Sequence, residues 1–510
     1  MPDYDAIIIG SGAGGLSAAL RVARAGFSVL VLEAMPAFGG YLNPFSQKGY
    51  TFDTGVHFIG KLGQGESFWR MLHGLGIEDS VKFIELHPDG FDRYVFPHFE
   101  LRLCKGKERF VERLVTQFPK EERGIRKFFK VFDKITEAMG ASQLMRGRAL
   151  GMLRFILKHP AMVKYSRVPY QRLLDEVTSD KRLQAALAAP SSLYGLPPAR
   201  ASVFTAIGVW DHYLTGGHYP LGGSGAFRDA FIDALRKHGA ELKSRSRVVS
   251  IDKRGNEFVV ETESGDPKTA RIVISKADPV ITLGKLVNSE ILPSGIRRKA
   301  ERLRPSEGVF YAFIGTDLDL PSLGITDANI THFEDYDINK MYGVFLAPTP
   351  PSGFPVFFIT SPSVKDPFCG KAPEGYHTIE ILTGANYAVF EKWANLPSRK
   401  RGEAYEALKE NMGERLIAAA ERYIPGLSQH LDFVEYATPL SSEYWVNAVR
   451  GGSYGPEQTP DQIGPGRFMS FTAGIDGLFL AGSGTLGGGV MACVASGFLA
   501  GRKATRYLES

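Results

Sequence analysis

The sequence has few cysteines. Its three thiols among 510 residues, Cys104, Cys369 and Cys493, lie far apart, and no CxxC pair occurs. This spacing argues against a redox-active dithiol and against a CxxC-type zinc site, so we expect no metal centre. A chain that makes so little use of cysteine is typical of a reducing, cytoplasmic compartment.

Neither sign of charge is in large excess. The 60 Lys and Arg residues and the 55 Asp and Glu residues leave a net charge of +5. This charge is too weak to indicate a nucleic-acid-binding protein, although a local basic face remains compatible with it. A hydrophobic fraction of 44% and a charged fraction of 23% are typical of a folded globular protein. The length allows two to four compact units.

Long uninterrupted hydrophobic runs are scarce. Residues 477–501 carry no charge, and a segment of this length could cross a bilayer. Eight of these residues are glycine, however, and the cluster from Gly482 to Gly489 would interrupt a helix. The pattern predicts a buried strand, a glycine turn and a buried helix. The first apolar strand begins near residue 4, so we expect no signal peptide.

The N-terminus carries the most specific pattern. An apolar run at residues 6–9 leads directly into Gly10-x-Gly12-x-x-Gly15, a helix-forming stretch follows, and a second apolar run ends at Glu33. This is the order of a dinucleotide-binding βαβ unit. The glycines permit a tight turn and close approach of the backbone to a diphosphate, and the acid is placed to bind a ribose. The pattern predicts dinucleotide binding.

Two further glycine clusters narrow the cofactor to FAD. Gly39 and Gly40 follow the ribose acid, where the chain must run back along the ligand without side-chain bulk. NAD enzymes rarely show this pair. At the other end of the chain, the predicted strand, turn and helix after Gly477 would aim a positive helix end at a flavin. We therefore expect non-covalent FAD, held from both ends of the chain.

Two long insertions separate these cofactor segments. Strand-like runs near 247–251, 258–262 and 271–275 return to the nucleotide-binding architecture. Residues 61–214 and 286–464 instead mix helical and strand patterns, including strands within 91–103 and a helix from about 387 to 393. We expect a discontinuous FAD-binding domain of residues 1–60, 215–285 and 465–510. The two insertions form the substrate-binding domain.

One segment of the first insertion is unusually basic. No acid occurs between Glu137 and Asp175, whereas residues 144–172 combine several Lys and Arg residues with Leu, Met and Phe. Such a segment can lie in a membrane interface, with the basic side chains directed toward lipid headgroups. The alternative is an ordinary helix with a solvated charged face. We expect a cytoplasmic protein, with peripheral membrane contact through 144–172.

Several motifs along the chain resemble one family. They occur in family order, as Asp53–Gly60, Tyr194–Pro198, His218–Gly225, Arg450–Gly455 and Gly477–Gly482. The chain resembles the FAD-dependent retinol saturase, carotenoid isomerase and phytoene desaturase family, and is most similar to retinol saturases. The resemblance implies an α/β fold with a Rossmann-type FAD-binding domain of the glutathione-reductase-like, amine-oxidase type. It also implies an interleaved α+β substrate domain with an apolar tunnel that ends at the flavin.

The resemblance and the glycine patterns together predict the FAD contacts. They are Gly10, Gly12, Ala13, Gly14, Gly15, Glu33, Ala34, Gly39, Gly40, Tyr41, Val248, Gly482, Ser483, Gly489 and Val490. Two positions depart from the pattern. Ser483 stands where many FAD enzymes of this superfamily have an Asp for the ribityl chain, and Tyr41 stands where an Arg often follows the second glycine pair.

The predicted activity is reduction of a carbon–carbon double bond in a long polyene or isoprenoid lipid. Saturation adds a hydride from flavin N5 to one carbon and a proton to its neighbour. Candidate proton donors are His57, Tyr219, His212 and Tyr454, and His57 is the strongest because it follows the strand that leads from the FAD site. No second Rossmann fingerprint occurs, so electrons would pass to or from an external partner.

Alternatives remain open on the same scaffold. The first is desaturation or cis–trans isomerisation of such a lipid. The second is an amine or amino-acid oxidase, for which Tyr444, Trp445 and Tyr454 would supply an aromatic cage. The third is a flavin-binding carrier without catalysis.

Overall fold

A computed structural model describes residues 1–142, 155–469 and 471–510. Two seven-stranded sheets dominate the structure. Segments from both ends and from the middle of the chain form the first sheet, and the two long insertions together form the second.

The first sheet contains the dinucleotide-binding segments. Its strands follow the order Val248–Arg254, Glu257–Thr262, Lys268–Ser275, Tyr4–Ile9, Val29–Leu32 and Glu241–Lys243, and Leu478–Leu480 also pairs with Lys268–Ser275. Pairing is parallel from Lys268–Ser275 through Glu241–Lys243 and antiparallel in the hairpins that precede it. The predicted returning strands are confirmed.

Both faces of this sheet are buried, as its apolar strands predict. Because side chains alternate along a strand, Ala6 and Ile8 enter the cluster formed with the helices, whereas Ile7 and Ile9 enter the cluster on the opposite face. The helices on the first side are Ala13–Ala23, Ser67–Leu75, Gly223–Lys237 and Val490–Glu509.

The first and last helices of the chain pack in very close contact. A Cβ atom at Gly497 would lie 2.0 Å from the carbonyl oxygen of Gly14, and one at Gly501 would lie 2.9 Å from that of Ala18. Only glycine permits this approach, which fixes the C-terminal helix beside the nucleotide-binding helix.

The second sheet combines strands from both insertions. Its order is Leu431–Ala437, Gly308–Thr316, His377–Ala385, Val356–Thr360, Asn329–Phe333, Asp92–Phe96 and Phe99–Leu103. All neighbours are antiparallel except Asn329–Phe333 and Asp92–Phe96, which join the two insertions in parallel. Two short antiparallel pairs complete the strands. They are the hairpin of Phe45–Gln47 with Tyr50–Phe52, and Phe83–Glu85 paired with the distant strand His218–Pro220.

Helices cover the second sheet and the space beside it. The longer ones are Lys107–Gln117, Glu122–Ser142, Pro160–Tyr165, Tyr170–Val177, Lys181–Ala188, Val203–Tyr213, Ile338–Leu346, Glu403–Ala420 and Pro439–Val446. The helix Ser294–Glu301 instead packs on the first sheet, where Ala300 joins the cluster of Ile7 and Ile9. One sequence prediction is wrong. The expected helix at 387–393 is a pair of 3-10 turns, Tyr387–Val389 and Glu391–Trp393. The helix Ser67–Leu75, which lies within the first insertion, packs with the helices of the first sheet.

The basic segment 144–172 is described only in part, because residues 143–154 lie outside the described residues. In the part that the structure describes, Ile156, Leu157 and Val163 are exposed apolar side chains. Among the described residues, no helix has the length and apolar character needed to span a bilayer.

Candidate active site

A cavity of about 950 Å³ lies between the two sheets. Its wall on one side comes from the glycine turns of the first sheet, and its wall on the other comes from aromatic side chains of the second sheet and of the helix Ile338–Leu346. The aromatic wall includes Tyr311, Phe313, Tyr342, Phe345, Phe357 and Phe358. A polar nucleotide-binding end therefore continues into a large apolar chamber.

The first glycine turn is shaped for close backbone approach. Gly10 has a φ of 86°, and a Cβ at Gly15 would lie 1.9 Å from the carbonyl oxygen of Gly10. The helix Ala13–Ala23 begins at Gly12 without a side-chain cap. Its first N–H groups and its partial positive charge are therefore directed at the cavity, an arrangement that favours a phosphate.

Glu33 lies at the end of the second strand, as the sequence predicts. Its Oε2 accepts hydrogen bonds from the backbone N–H (2.9 Å) and the hydroxyl (2.5 Å) of Ser11, and its Oε1 accepts one from the N–H of Met35 (2.9 Å). The carboxylate is thus held rigidly at the cavity wall. A fixed acceptor at this place suits the hydroxyls of an adenosine ribose.

The C-terminal glycine turn closes the other side of the cofactor end. Ser483, Gly489 and Val490 line the cavity, and the helix Val490–Glu509 also begins without a side-chain cap. Gly482 instead supports packing, because Gly14 approaches it so closely that a Cβ at Gly14 would lie 2.9 Å from its Cα.

Most of the predicted cofactor residues line this cavity, and three do not. Those that line it are Gly10, Gly12, Ala13, Glu33, Ala34, Gly39, Gly40, Tyr41, Val248, Ser483, Gly489 and Val490. Gly14, Gly15 and Gly482 lie behind the wall, where they let the turns and helices pack.

Arg467 stabilises the C-terminal glycine turn, a role that no sequence pattern predicts. This buried guanidinium donates hydrogen bonds to the carbonyl oxygens of Ser483 (2.6 Å), Pro456 (2.6 Å) and Gln462 (2.5 Å). It thereby ties the C-terminal turn to the loop that precedes it. Burial lowers its pKa to about 10, which still leaves it charged at neutral pH.

His57 is one of two proton-donor candidates at the cavity. Its side chain is 15% exposed, and its Nδ1 lies 3.2 Å from Oε2 of the fully buried Glu380. Burial raises the pKa of Glu380. The other oxygen of Glu380 accepts a hydrogen bond from the backbone N–H of Asp53 (2.9 Å), so the carboxyl group is fixed relative to the imidazole. A carboxyl group this close to Nδ1 orients the ring.

Tyr454 is the second candidate that lines the cavity. Its hydroxyl donates to the carbonyl oxygen of Ser192 (3.3 Å), and its backbone N–H donates to the hydroxyl of Ser306 (2.9 Å). Burial raises the pKa of the phenol. Tyr454 is therefore neutral across the physiological range.

The other two candidates do not line the cavity. The hydroxyl of Tyr219 donates to the buried carboxylate of Asp53, and His212 accepts a hydrogen bond at Nε2 from the N–H of Gly60 (2.9 Å). Burial lowers the pKa of His212 to about 3, so its ring is neutral. Both side chains hold the fold around His57, and the structure does not support a role for either as proton donor to a ligand in this cavity.

Buried charged side chains surround His57, and no sequence pattern predicts them. The Lys371 ammonium lies 3.0 Å from Oδ2 of Asp53, with both side chains at most 3% exposed. The Lys365 ammonium donates to the carbonyl oxygen of His57 (2.8 Å) and to Oδ1 of Asn329 (2.5 Å). Burial lowers the pKa of Lys365 to about 8. Residues more than 300 positions apart thus meet directly behind the imidazole.

Glu307 is a further acid at the cavity. Burial raises its pKa to about 7, and the nearest cationic group is Arg200, whose Nη1 lies 3.8 Å from Oε1. A carboxyl group that titrates near neutrality within a cavity is a candidate for proton transfer.

Comparison with known proteins agrees with this geometry. The family of flavin containing amine oxidoreductases matches residues 13–505. The chain belongs to this family. Like its other members it is a flavin-dependent oxidoreductase, and the glycine turns, Glu33 and the two uncapped helices fit FAD.

Several relatives of this flavoenzyme have curated descriptions. An inactive all-trans-retinol 13,14-reductase of Danio rerio is 28% identical over 86% of this chain and 76% of its own length. The all-trans-retinol 13,14-reductase of Homo sapiens is 28% identical over 94% of this chain and 82% of its own. The chloroplastic prolycopene isomerase of Arabidopsis thaliana is 26% identical over 97% and 82%.

A solved structure confirms the fold of this flavoenzyme. Putrescine oxidase with bound putrescine superimposes with a TM-score of 0.65 at 14% identity, covering 99% of both chains. The predicted α/β fold of the amine-oxidase type is thereby confirmed.

Proposed function

We propose that this flavoenzyme acts on a carbon–carbon double bond of a long apolar polyene, most directly by saturating it. The observation that supports the proposal is the continuity of the cofactor end with the aromatic chamber. Six aromatic side chains line that chamber, and the curated relatives are described as retinol reductases and prolycopene isomerases. Discontinuous segments 1–60, 215–285 and 465–510 would hold FAD, and the two insertions would hold the polyene.

The chain must supply one proton for each double bond reduced. Bound FAD supplies the hydride, and an external donor restores it after each turnover. His57 holds the proton that the neighbouring carbon accepts. Glu380 orients the imidazole through its contact with Nδ1 at 3.2 Å.

His57 is tested by its replacement with glutamine. His57→Gln should lower the rate of polyene reduction by about 10²–10⁴, the usual contribution of a general acid, with an unchanged flavin content. His238→Gln, at an exposed histidine, is the matched control. Full activity of His57→Gln would transfer the role to Glu307, whose replacement by Gln should then abolish turnover.

The reaction itself is tested by product analysis. The reduced enzyme is incubated with all-trans-retinol or a carotenoid under argon, and the extracted lipids are separated by chromatography. Saturation predicts a product with one double bond fewer. A parallel incubation with oxidised enzyme tests desaturation, which would give a product with one double bond more. An altered isomer ratio without net redox change would show isomerisation.

An amine substrate is the second candidate, favoured by the family name and by the likeness to putrescine oxidase. Trp445 lines the cavity and forms an edge-to-face pair with Tyr444, with ring centroids 4.9 Å apart. Such aromatics attract ammonium groups. Reduction of the flavin by putrescine or benzylamine would support an amine substrate. An unchanged spectrum of the oxidised flavin would rule out these amines as substrates.

We also propose that residues 155–172, the part of the basic segment that the structure describes, contact a lipid surface. Leu157 is 73% exposed and Val163 is 53% exposed, and they neighbour Lys158 and Lys164. Apolar side chains flanked by lysines match the interface of an anionic bilayer. Leu157→Glu combined with Lys158→Glu should reduce sedimentation with phosphatidylserine vesicles. Unchanged sedimentation would leave the segment as a solvated face.

A further inference from the structure

Lys276 lies across the first glycine turn. It directly follows the strand Lys268–Ser275, and its backbone N–H donates to the carbonyl oxygen of Ile9 (2.8 Å). A Cβ at Gly12 would lie 2.5 Å from its Cε and 2.7 Å from its Nζ, and one at Gly40 would lie 3.9 Å from its Nζ. The ammonium therefore lies between the two glycine clusters, at the wall of the cavity.

No hydrogen bond or ion pair to the Nζ of Lys276 is found within residues 1–142, 155–469 and 471–510. The nearby acids are otherwise engaged. Glu33 is bonded to Ser11 and Met35, and Asp278 accepts a hydrogen bond from the N–H of Val280 (2.8 Å). The positive charge of Lys276 acts on Asp278, but the two groups form no ion pair. Its charge is therefore available to a ligand at the turn.

The turn requires a cation that its other groups do not provide. An uncapped helix end carries only about half an elementary charge, whereas the diphosphate of FAD carries two negative charges. The position after the second glycine pair, where related flavoproteins often carry Arg, holds Tyr41. Tyr41 lines the cavity as an uncharged phenol, and burial raises its pKa.

We propose that Lys276 binds the diphosphate of FAD and supplies the positive charge that Tyr41 does not. Lysine is suited to this role because a flexible ammonium can donate to either phosphate. The proposal adds a side chain from the middle of the sequence to a site otherwise formed by backbone N–H groups.

The test is FAD release from the holoenzyme, followed by the recovery of flavin fluorescence. Loss of one charge-assisted hydrogen bond should make Lys276→Met release FAD about tenfold to hundredfold faster at low ionic strength. Release from the wild type should accelerate as salt screens the contact, and this dependence should be much weaker in Lys276→Met. Lys276→Arg should stay near the wild type.

Lys237→Met is the matched control, because Lys237 is an exposed lysine that does not line the cavity. It should release FAD at the wild-type rate. Equal rates for Lys276→Met and the wild type would overturn the proposal. Faster release with an unchanged salt dependence would also overturn it, because that result would show a packing role instead of a charge contact.

Should Lys276→Met be isolated without flavin, ADP and adenosine titrations of flavin-free full-length protein decide between a charge contact and a packing role. The proposal predicts weakened ADP binding with unchanged adenosine binding, and equal weakening of both contradicts it.

Discussion

Replacing Lys371 by methionine should strongly destabilise the protein. The ammonium lies 3.0 Å from Oδ2 of Asp53, and the two side chains are 3% and 0% exposed. Removing one partner of such a pair leaves the other as an uncompensated buried charge, at a cost of about 3–5 kcal/mol. Ser224 still donates its N–H (3.0 Å) and hydroxyl (2.6 Å) to Asp53, and Tyr219 donates its hydroxyl. We therefore expect a loss near the lower end, about 3 kcal/mol.

This loss should depend on pH in a defined direction. Burial alone would raise the pKa of Asp53, but the Lys371 charge and the bonds from Ser224 and Tyr219 outweigh it and hold the pKa below its usual value. In the wild type, this carboxylate stabilises the fold above the unfolded pKa of about 3.9, and the contribution is lost as pH falls through the lower folded pKa. Without Lys371 the carboxyl group takes up a proton at higher pH. The difference between Lys371→Met and the wild type should therefore be largest near pH 7 and shrink toward pH 5.

Urea unfolding at pH 7.5 and pH 5.5 measures this effect. Lys400→Met is the control, because Lys400 is exposed, and it should shift the midpoint little. The double variant Asp53→Asn with Lys371→Met should recover at least about 1 kcal/mol relative to the sum of the single variants, as expected for directly coupled residues. A loss under 1 kcal/mol for Lys371→Met, or strictly additive single variants, would refute the reasoning.

Two further predictions concern the nucleotide turn and the neutral histidine. Gly15→Ala would place a Cβ 1.9 Å from the Gly10 carbonyl oxygen, so it should cost about 1–3 kcal/mol and lower the flavin-to-protein absorbance ratio. Gly343→Ala meets no atom within 4 Å and should leave that ratio unchanged. Burial lowers the pKa of the His212 imidazole to about 3. Below pH 6.5 the unfolded state therefore binds a proton that the folded state does not. The free energy of unfolding should then fall by about 1 kcal/mol for each pH unit. His212→Gln keeps an acceptor for the N–H of Gly60 and should make the free energy of unfolding less dependent on pH between pH 6.5 and 5. An equal pH dependence in this variant and the wild type would contradict a neutral, buried His212.

Local patterns predicted the cofactor half of the site well. Gly10, Gly12 and Glu33 lie within one βαβ unit, so their spacing alone defines a turn, a helix end and a strand end. The glycine cluster at 482–489 is predicted to be a turn in the same way, from a strand and a helix adjacent in sequence. Such short-range patterns predict local structure because each element is built from neighbouring residues.

The environment of the candidate proton donor could not be read from the sequence. His57 faces Glu380, which is 323 positions away, and Asp53 faces Lys371 across a similar separation. No periodicity links such residues, since their contact depends on how the second sheet packs against the first. The same reason applies to His212, a proton-donor candidate from the sequence that does not line the cavity. Its proximity in sequence to glycine-rich motifs gave no indication that Gly60 would donate to its ring.

The most direct test of the central claim is an anaerobic flavin spectrum. Enzyme reduced with one equivalent of dithionite is mixed with all-trans-retinol or a carotenoid, and the flavin and polyene bands are followed together. The account predicts reoxidation of the flavin with loss of the long-wavelength polyene band, one polyene for each flavin. A flavin that stays reduced with an unaltered polyene band would contradict the account. So would a red-shifted polyene band in a parallel sample of oxidised enzyme, formed while its flavin becomes reduced.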